Sequence, residues 1–239
     1  MIGANLKMIS VRVALAFMAS ITAHSVAVPT ALGAQRSSET RAEFLIYEGS
    51  RLVGRDQFSI RRSESRRGLA GITITSTVFY PADARRPRLT TIVELGSDSL
   101  PLTLRLENRG PERKITTTTV GEDKISFRVF SQTRESLRET PNSSPHLLAD
   151  HTIPSLYSVL PGTPDGEISI LSPRDGRVSR ARVSERAAEV RTIQGRSVEL
   201  RHVELTLETG SIHLWYDQSG ELLMVEQPAE RWRAERSIN

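Results

Sequence analysis

The sequence predicts a mainly β chain in which short antiparallel strands are interrupted once by a helical insert. Runs of alternating apolar and polar residues recur along it, separated by Gly, Pro, Asn and Asp turn signals at short intervals. The alternation lapses only between residues 131 and 160, where Pro145 suits a first helical position and Pro154 prevents one straight helix.

The amino terminus is of a different kind. Lys7 and Arg12 precede an apolar run over 13–21, and Ala31, Leu32, Gly33 and Ala34 supply small residues for cleavage after Gly33 or Ala34. Residues 1–34 therefore read as a signal peptide. Thr22, His24 and Ser25 interrupt the stretch before the ~20 apolar residues of a span, although an uncleaved anchor is the alternative. The boundary has no cysteine for lipid attachment. The expected location is periplasmic or secreted, peripheral to a membrane at most.

Residues 35–239 should form one antiparallel β domain. Residues 35–41 are polar and expected to fray. Strands are expected at 44–47 and 52–61, the second irregular at Gly54. In 69–80, Ile72, Ile74, Ser76 and Val78 alternate with threonines and Phe79, the pattern of a half-buried strand. Further strands follow at 89–95, 102–107, 113–120 and 124–130, with Leu102, Leu104 and Leu106 on one face and Ile125, Phe127 and Val129 inward. Residues 131–143 read as a loop, and 144–160 as one or two short helices capped by Ser144 and broken at Pro154. Strands resume at 168–171, 177–183, 189–193, 197–207, 211–217, 221–226 and 231–236. Gly176 is expected at a left-handed turn position. The apolar phase slips between Leu200 and Val203, which places a β-bulge at Arg201–His202.

Composition narrows the function classes. The chain has 239 residues and no cysteine, which excludes disulfides and thiolate catalysis. The net charge of +4 falls to +2 once Lys7 and Arg12 leave with the leader. Arginine far outnumbers lysine, and pairs such as Arg61–Arg62 and Arg85–Arg86 are expected in turns, so nucleic acid is not an expected partner.

Phe44-Leu45-Ile46-Tyr47 with Gly49 and Val53-Gly54, Asp150 with Ser155-Leu156-Tyr157, and Gly195 with Leu214-Trp215-Tyr216-Asp217 and Gly220-Glu221-Leu222 resemble the opening, central and closing elements of an uncharacterised family of periplasmic proteins. The arrangement is also similar to the lipoprotein carriers of the LolA/LolB type. That resemblance implies a single antiparallel sheet curled into an unclosed half β-barrel, with the helical insert as lid or plug, and an apolar small molecule or lipid as ligand. Leu104, Phe127, Leu156, Tyr157 and Trp215 are the candidate cavity lining, with Trp215 beneath Tyr157.

The residues offer little for catalysis. His213 and Asp217 stand roughly 13 Å apart along a strand, His202 and Glu204 about 6–7 Å apart with no third partner, and neither spacing suits a metal. Asp150, His151 and Ser155 are too close in sequence for a triad assembled from distant segments. Asp217-Gln218-Ser219-Gly220 reads as a turn. No cofactor is expected. The leading expectation is a carrier of an apolar ligand. The alternatives are a structural or interaction protein of the envelope with a filled core, docking an envelope partner by strand addition, and a hydrolase.

Overall fold

Amides in an alternating segment are satisfied by neighbouring strands, and the whole chain is organised by that requirement. The computed structural model describes residues 37–63, 71–142, 146–160 and 165–237; residues 1–34, expected as a signal peptide, lie outside them. Its strands are β1 Ser37–Glu48, β2 Arg51–Ser63, β3 Gly71–Phe79, β4 Leu89–Leu95, β5 Pro101–Asn108, β6 Lys114–Val120, β7 Lys124–Ser131, β8 Glu135–Pro141, β9 His146–Leu148, β10 Gly166–Leu171, β11 Val178–Ile193, β12 Arg196–Leu207, β13 Gly210–Tyr216, β14 Leu222–Gln227 and β15 Trp232–Arg236. They form one sheet in the order β8-β7-β6-β5-β4-β3-β2-β1-β15-β14-β13-β12-β11-β10-β9. The sheet is unclosed, with β8 and β9 as its edges. Two meanders meet at a central seam, where Phe44–Glu48 pair with Trp232–Arg236. One pair, β9 with β10, is parallel.

The inner faces of the two meanders share one apolar cluster. Ile74, Val93, Leu104 and Ile125 come from the first, and Leu171, Val183, Leu205 and Leu214 from the second. Each such burial stabilises by about 1.5–3 kcal/mol. The sheet therefore curls until its halves face each other. At the far side, the Ser172–Arg177 turn of the β10–β11 hairpin reaches Phe127: a Cβ on Gly176 would lie 2.6 Å from that ring. Gly176 also has the expected left-handed backbone, with φ of 62°. Gly54 serves a similar close approach, since a Cβ there would lie 2.5 Å from the Tyr80 ring.

Several local expectations are corrected. Residues 37–41 are not frayed but extend β1, with Ser37 to Arg41 opposite Ser63 to Ser59. Backbone pairing holds them although the side chains of Ser38, Glu39 and Arg41 are exposed. Leu102 is exposed because it is the extra residue where β4 and β5 slip register, Glu94 facing Thr103 and Leu95 facing Pro101. Residues 135–141 form strand β8 in place of a loop, paired with β7 throughout. In the insert at 144–160, the Ser144 cap lies outside the described residues, and 146–148 are the buried strand β9 where a helix was expected. Among the insert's described residues only Pro154–Ser158 is helical, as one 3₁₀ turn.

Strands expected at 177–183 and 189–193 are one strand, β11, with a bulge: Arg186 faces His202 and Glu189 faces Leu200, so Ala187 and Ala188 stand opposite Arg201 alone. The extra residue is thus on β11 where the sequence placed it on β12. The phase slip in β12 has another cause, which is burial on both faces. Val203 and Leu205 enter the large inner cluster, whereas Leu200 joins Ile193, Trp215, Leu223 and Met224 in a small cluster on the outer face.

Candidate functional site

The insert is a plug within the curl. Asp150 accepts from the Thr152 amide and hydroxyl and pairs with Arg174 Nε at 2.5 Å. Pro154, Ser155, Leu156 and Tyr157 then turn into the core and are buried. Two polar bonds tie this turn to the sheet. The Ser155 amide donates to Asp56 Oδ2 at 3.0 Å, and Tyr216 Oη donates to the Tyr157 carbonyl at 2.8 Å.

Asp56 is wholly buried on β2 and also accepts from Ser76 Oγ at 2.6 Å. Desolvation pushes its carboxyl above the ordinary range, against the opposing bonds from Ser76 and Ser155. Nearby, desolvation likewise raises the Tyr80 phenol, which accepts from the Trp232 indole.

The candidate lining does not surround one space. Leu104, Leu156 and Tyr157 share the inner cluster, and Phe127 lies on the same face under Gly176 and the Arg138 guanidinium, 5.4 Å from its ring centre. Trp215 is not beneath Tyr157. It points to the outer face, and its neighbour Tyr216 takes the expected place. The reason is the strand period of two: adjacent residues face opposite sides. Tyr157 and Trp215 are each 1% exposed and Phe127 7%, which leaves scarcely any surface for a ligand to touch. Two surface grooves formed by described residues, of about 670 and 560 Å³, and a recess of about 200 Å³ between Leu106, Thr116 and Arg174, are lined by none of the five.

A cluster missed by linear spacing lies over Trp215. His202 stacks on its ring at 4.8 Å between centres, and the Arg191 guanidinium sits 4.5 Å from it. His202 Nε2 is 2.9 Å from His213 Nδ1, and His202 Nδ1 is 2.9 Å from Glu189 Oε1. Burial lowers the His202 pKa, with Glu189 opposing and His213 reinforcing. Glu204 accepts from Ser211 and Arg186, and Glu226 lies opposite His213 on β14. The signal was cross-strand: a diagonal neighbour appears only once the β12–β13 register is known.

Asp150, His151 and Ser155 do not assemble for catalysis. Asp150 is held by Arg174, His151 is exposed with its ring edge-on to Trp232, and Ser155 is sealed against Asp56. Asp217 organises its turn, accepting from the amides of Ser219 and Glu221.

Fold and site together define a β-barrel-like protein with an internally plugged, unclosed sheet. No protein-family model matches the chain, and no curated protein matches it in sequence. Among solved structures, it is similar to a β-barrel-like protein of the domain of unknown function DUF1849 from Brucella abortus, with a TM-score of 0.50 and 10% identity, over 82% of this chain and 96% of that one. At that identity the likeness concerns the fold, an uncharacterised β-barrel-like one.

Proposed function

We propose that this is an exported, non-enzymatic interaction protein of the cell envelope, which works through its surface around a filled core. One observation carries the reading: Leu104, Leu156 and Tyr157 are 1–3% exposed and packed in a cluster that spans both halves of the sheet. Ligand pockets bury most of a ligand's surface, and the grooves of about 670 and 560 Å³ lie away from this cluster. The basic leader with its apolar run supports export. The dispersal of Asp150, His151 and Ser155 supports a non-catalytic role.

Organic extraction and native mass spectrometry of gently purified protein test this. The expected result is a mass equal to that of the chain alone, with no stoichiometric lipid. One lipid per chain would overturn the filled-core reading.

A second reading keeps the LolA/LolB likeness and makes the protein a carrier of an apolar molecule. It is favoured by the slender attachment of the plug, through Asp56 to Ser155 and Tyr216 to Tyr157. A ligand would enter by displacing Leu156 and Tyr157. Uptake of a fluorescent fatty acid that increases in Tyr216→Phe would favour it.

A further inference from the structure

The cluster over Trp215 is covered by a piece of chain that the rest of the sheet does not hold. Strand β12 pairs with β13 only from Arg201 to Leu207. Beyond Arg201 the β11–β12 hairpin runs on alone, with 189–193 paired to 196–200. Its two faces differ. Val190 on one is 69% exposed, whereas Ile193 and Leu200 on the other are buried against Trp215, Leu223 and Met224. Arg191 stands over the Trp215 ring, and Gln194 Nε2 donates to the Arg236 carbonyl on β15. Residues 189–200 therefore fold back across the outer face of β13, β14 and β15 as a strap.

Among the described residues, the backbone bonds of this strap lie within its own hairpin. Lifting it breaks side-chain contacts and no ladder. A hinge is already present where Ala187 and Ala188, both exposed, bulge opposite Arg201.

Two histidines close the base of the strap. His202 Nε2 lies 2.9 Å from His213 Nδ1, and His202 Nδ1 lies 2.9 Å from Glu189 on the strap. A contact between two imidazole nitrogens is a hydrogen bond only while one of them lacks a proton. A first added proton can be held, because Glu189 faces His202. A second sets N–H against N–H. The surrounding charges do not remove that conflict. On β11, Arg186 stands opposite His202, and Arg191 Nε already shares Glu189 at 2.9 Å. On β12, Glu204 pairs with Arg186 at 2.7 Å. On β14, Glu226 lies between His213 and Arg233 of β15, and Arg233 pairs with Glu235. Glu204 and Glu226 thus draw a charged His213 away from His202. His202 is 6% exposed, and an imidazolium that has lost its acceptor there reaches water only past the strap.

We propose that residues 189–200 form an acid-released strap: once His202 and His213 both carry a proton, their contact is lost and the strap lifts about Ala187 and Ala188, uncovering Trp215, Leu223 and Met224. Burial holds the His202 pKa below its ordinary 6.5, with Glu189 opposing, so release belongs on the acid side of that value.

The test compares the full chain without its leader at about pH 7.5 and about pH 5, on either side of the imidazole range. Trp232→Phe leaves Trp215 as the reporter. Acrylamide, an uncharged quencher, should reach Trp215 at least about three-fold more readily at the lower pH, with the emission moved to the red and thermal unfolding still cooperative. In wild type, the dye bis-ANS should bind at the lower pH alone. His202→Gln and His213→Gln should each keep the strap shut at both pH values, because an amide facing the remaining imidazole offers a donor or an acceptor as required. Equal quenching and equal dye binding at the two pH values overturn the proposal. So does a response that survives in either glutamine variant, since release by burial of one imidazole would need only His202. A response seen only together with loss of the sheet's circular dichroism overturns it too.

Discussion

Trp215 and Tyr216 are neighbours on β13, yet they belong to different worlds. Tyr216 faces inward, in a core of apolar side chains tied to the plug by one phenol. Trp215 faces outward, under a roof of Glu189, Arg191 and His202. The difference teaches that the outer cluster depends on ionisable groups remaining in place, whereas the inner one depends on volume. The two tryptophans allow each face to be read separately, since Trp232 lies in the inner cluster.

The largest effect should come from emptying the inner core. Tyr157→Ala should cost about 3–5 kcal/mol in chemical denaturation, the range for truncating a large buried aromatic. The Trp232 emission, read in a Trp215→Phe background, should shift to the red in the native state. Leu200→Ala, on the outer face, should cost less, about 2–3 kcal/mol, because that cluster is small and its roof can settle. The comparison breaks if the outer truncation proves the more costly. Tyr216→Phe should cost about 1 kcal/mol, the usual net worth of one hydrogen bond.

The faces should also titrate in opposite senses. Asp56 has a folded pKa raised above its ordinary 3.8, so its contribution is fully present below that value and is lost as pH rises through the folded pKa. His202 has a folded pKa lowered from 6.5, so its contribution is present above 6.5 and is lost as pH falls through the lowered value. Burial lowers His146 as well, with the same sign. Denaturation midpoints should show Asp56→Asn flattening the loss as pH rises above 3.8, and His202→Gln flattening part of the loss as pH falls below 6.5. Identical pH profiles for wild type and His202→Gln would remove the outer roof from the argument. The smallest change should be Leu137→Ser on the exposed edge, within about 0.5 kcal/mol.

Much of this architecture was legible in the sequence, for identifiable reasons. Strands with one buried face announce themselves by period two, as Ile74, Ser76 and Val78 do in β3. The β13–β14 and β10–β11 hairpins were marked by Asp217 and Gly176. What was hidden depended on partners. Strand β8 has no buried face and reads as a loop, because its side chains are mostly polar and engaged only at the surface. Strand β9 is buried on all sides, and three residues carry no period. Strand β12 is apolar on both faces, which mimics a bulge. For the candidate site, the type of residue was readable but its side of the sheet was not: Leu104, Leu156 and Tyr157 were placed together, and Trp215 was placed on the wrong face. His202 and His213 met across strands, a proximity no linear spacing displays.

The central seam has a bearing on how the chain becomes a single body. Every other neighbour in the sheet is also close along the polypeptide, so hairpins can grow outward from local turns in both meanders. The junction of β1 with β15 joins segments nearly two hundred positions apart, and such distant closures are the slow steps of β assembly. A nascent polypeptide would hold β1 with one flank open until its last strand had been made. Removal of Trp232–Arg236 should then leave two partial sheets with an adhesive border in place of one protein, and aggregation of that truncated chain would be the visible sign.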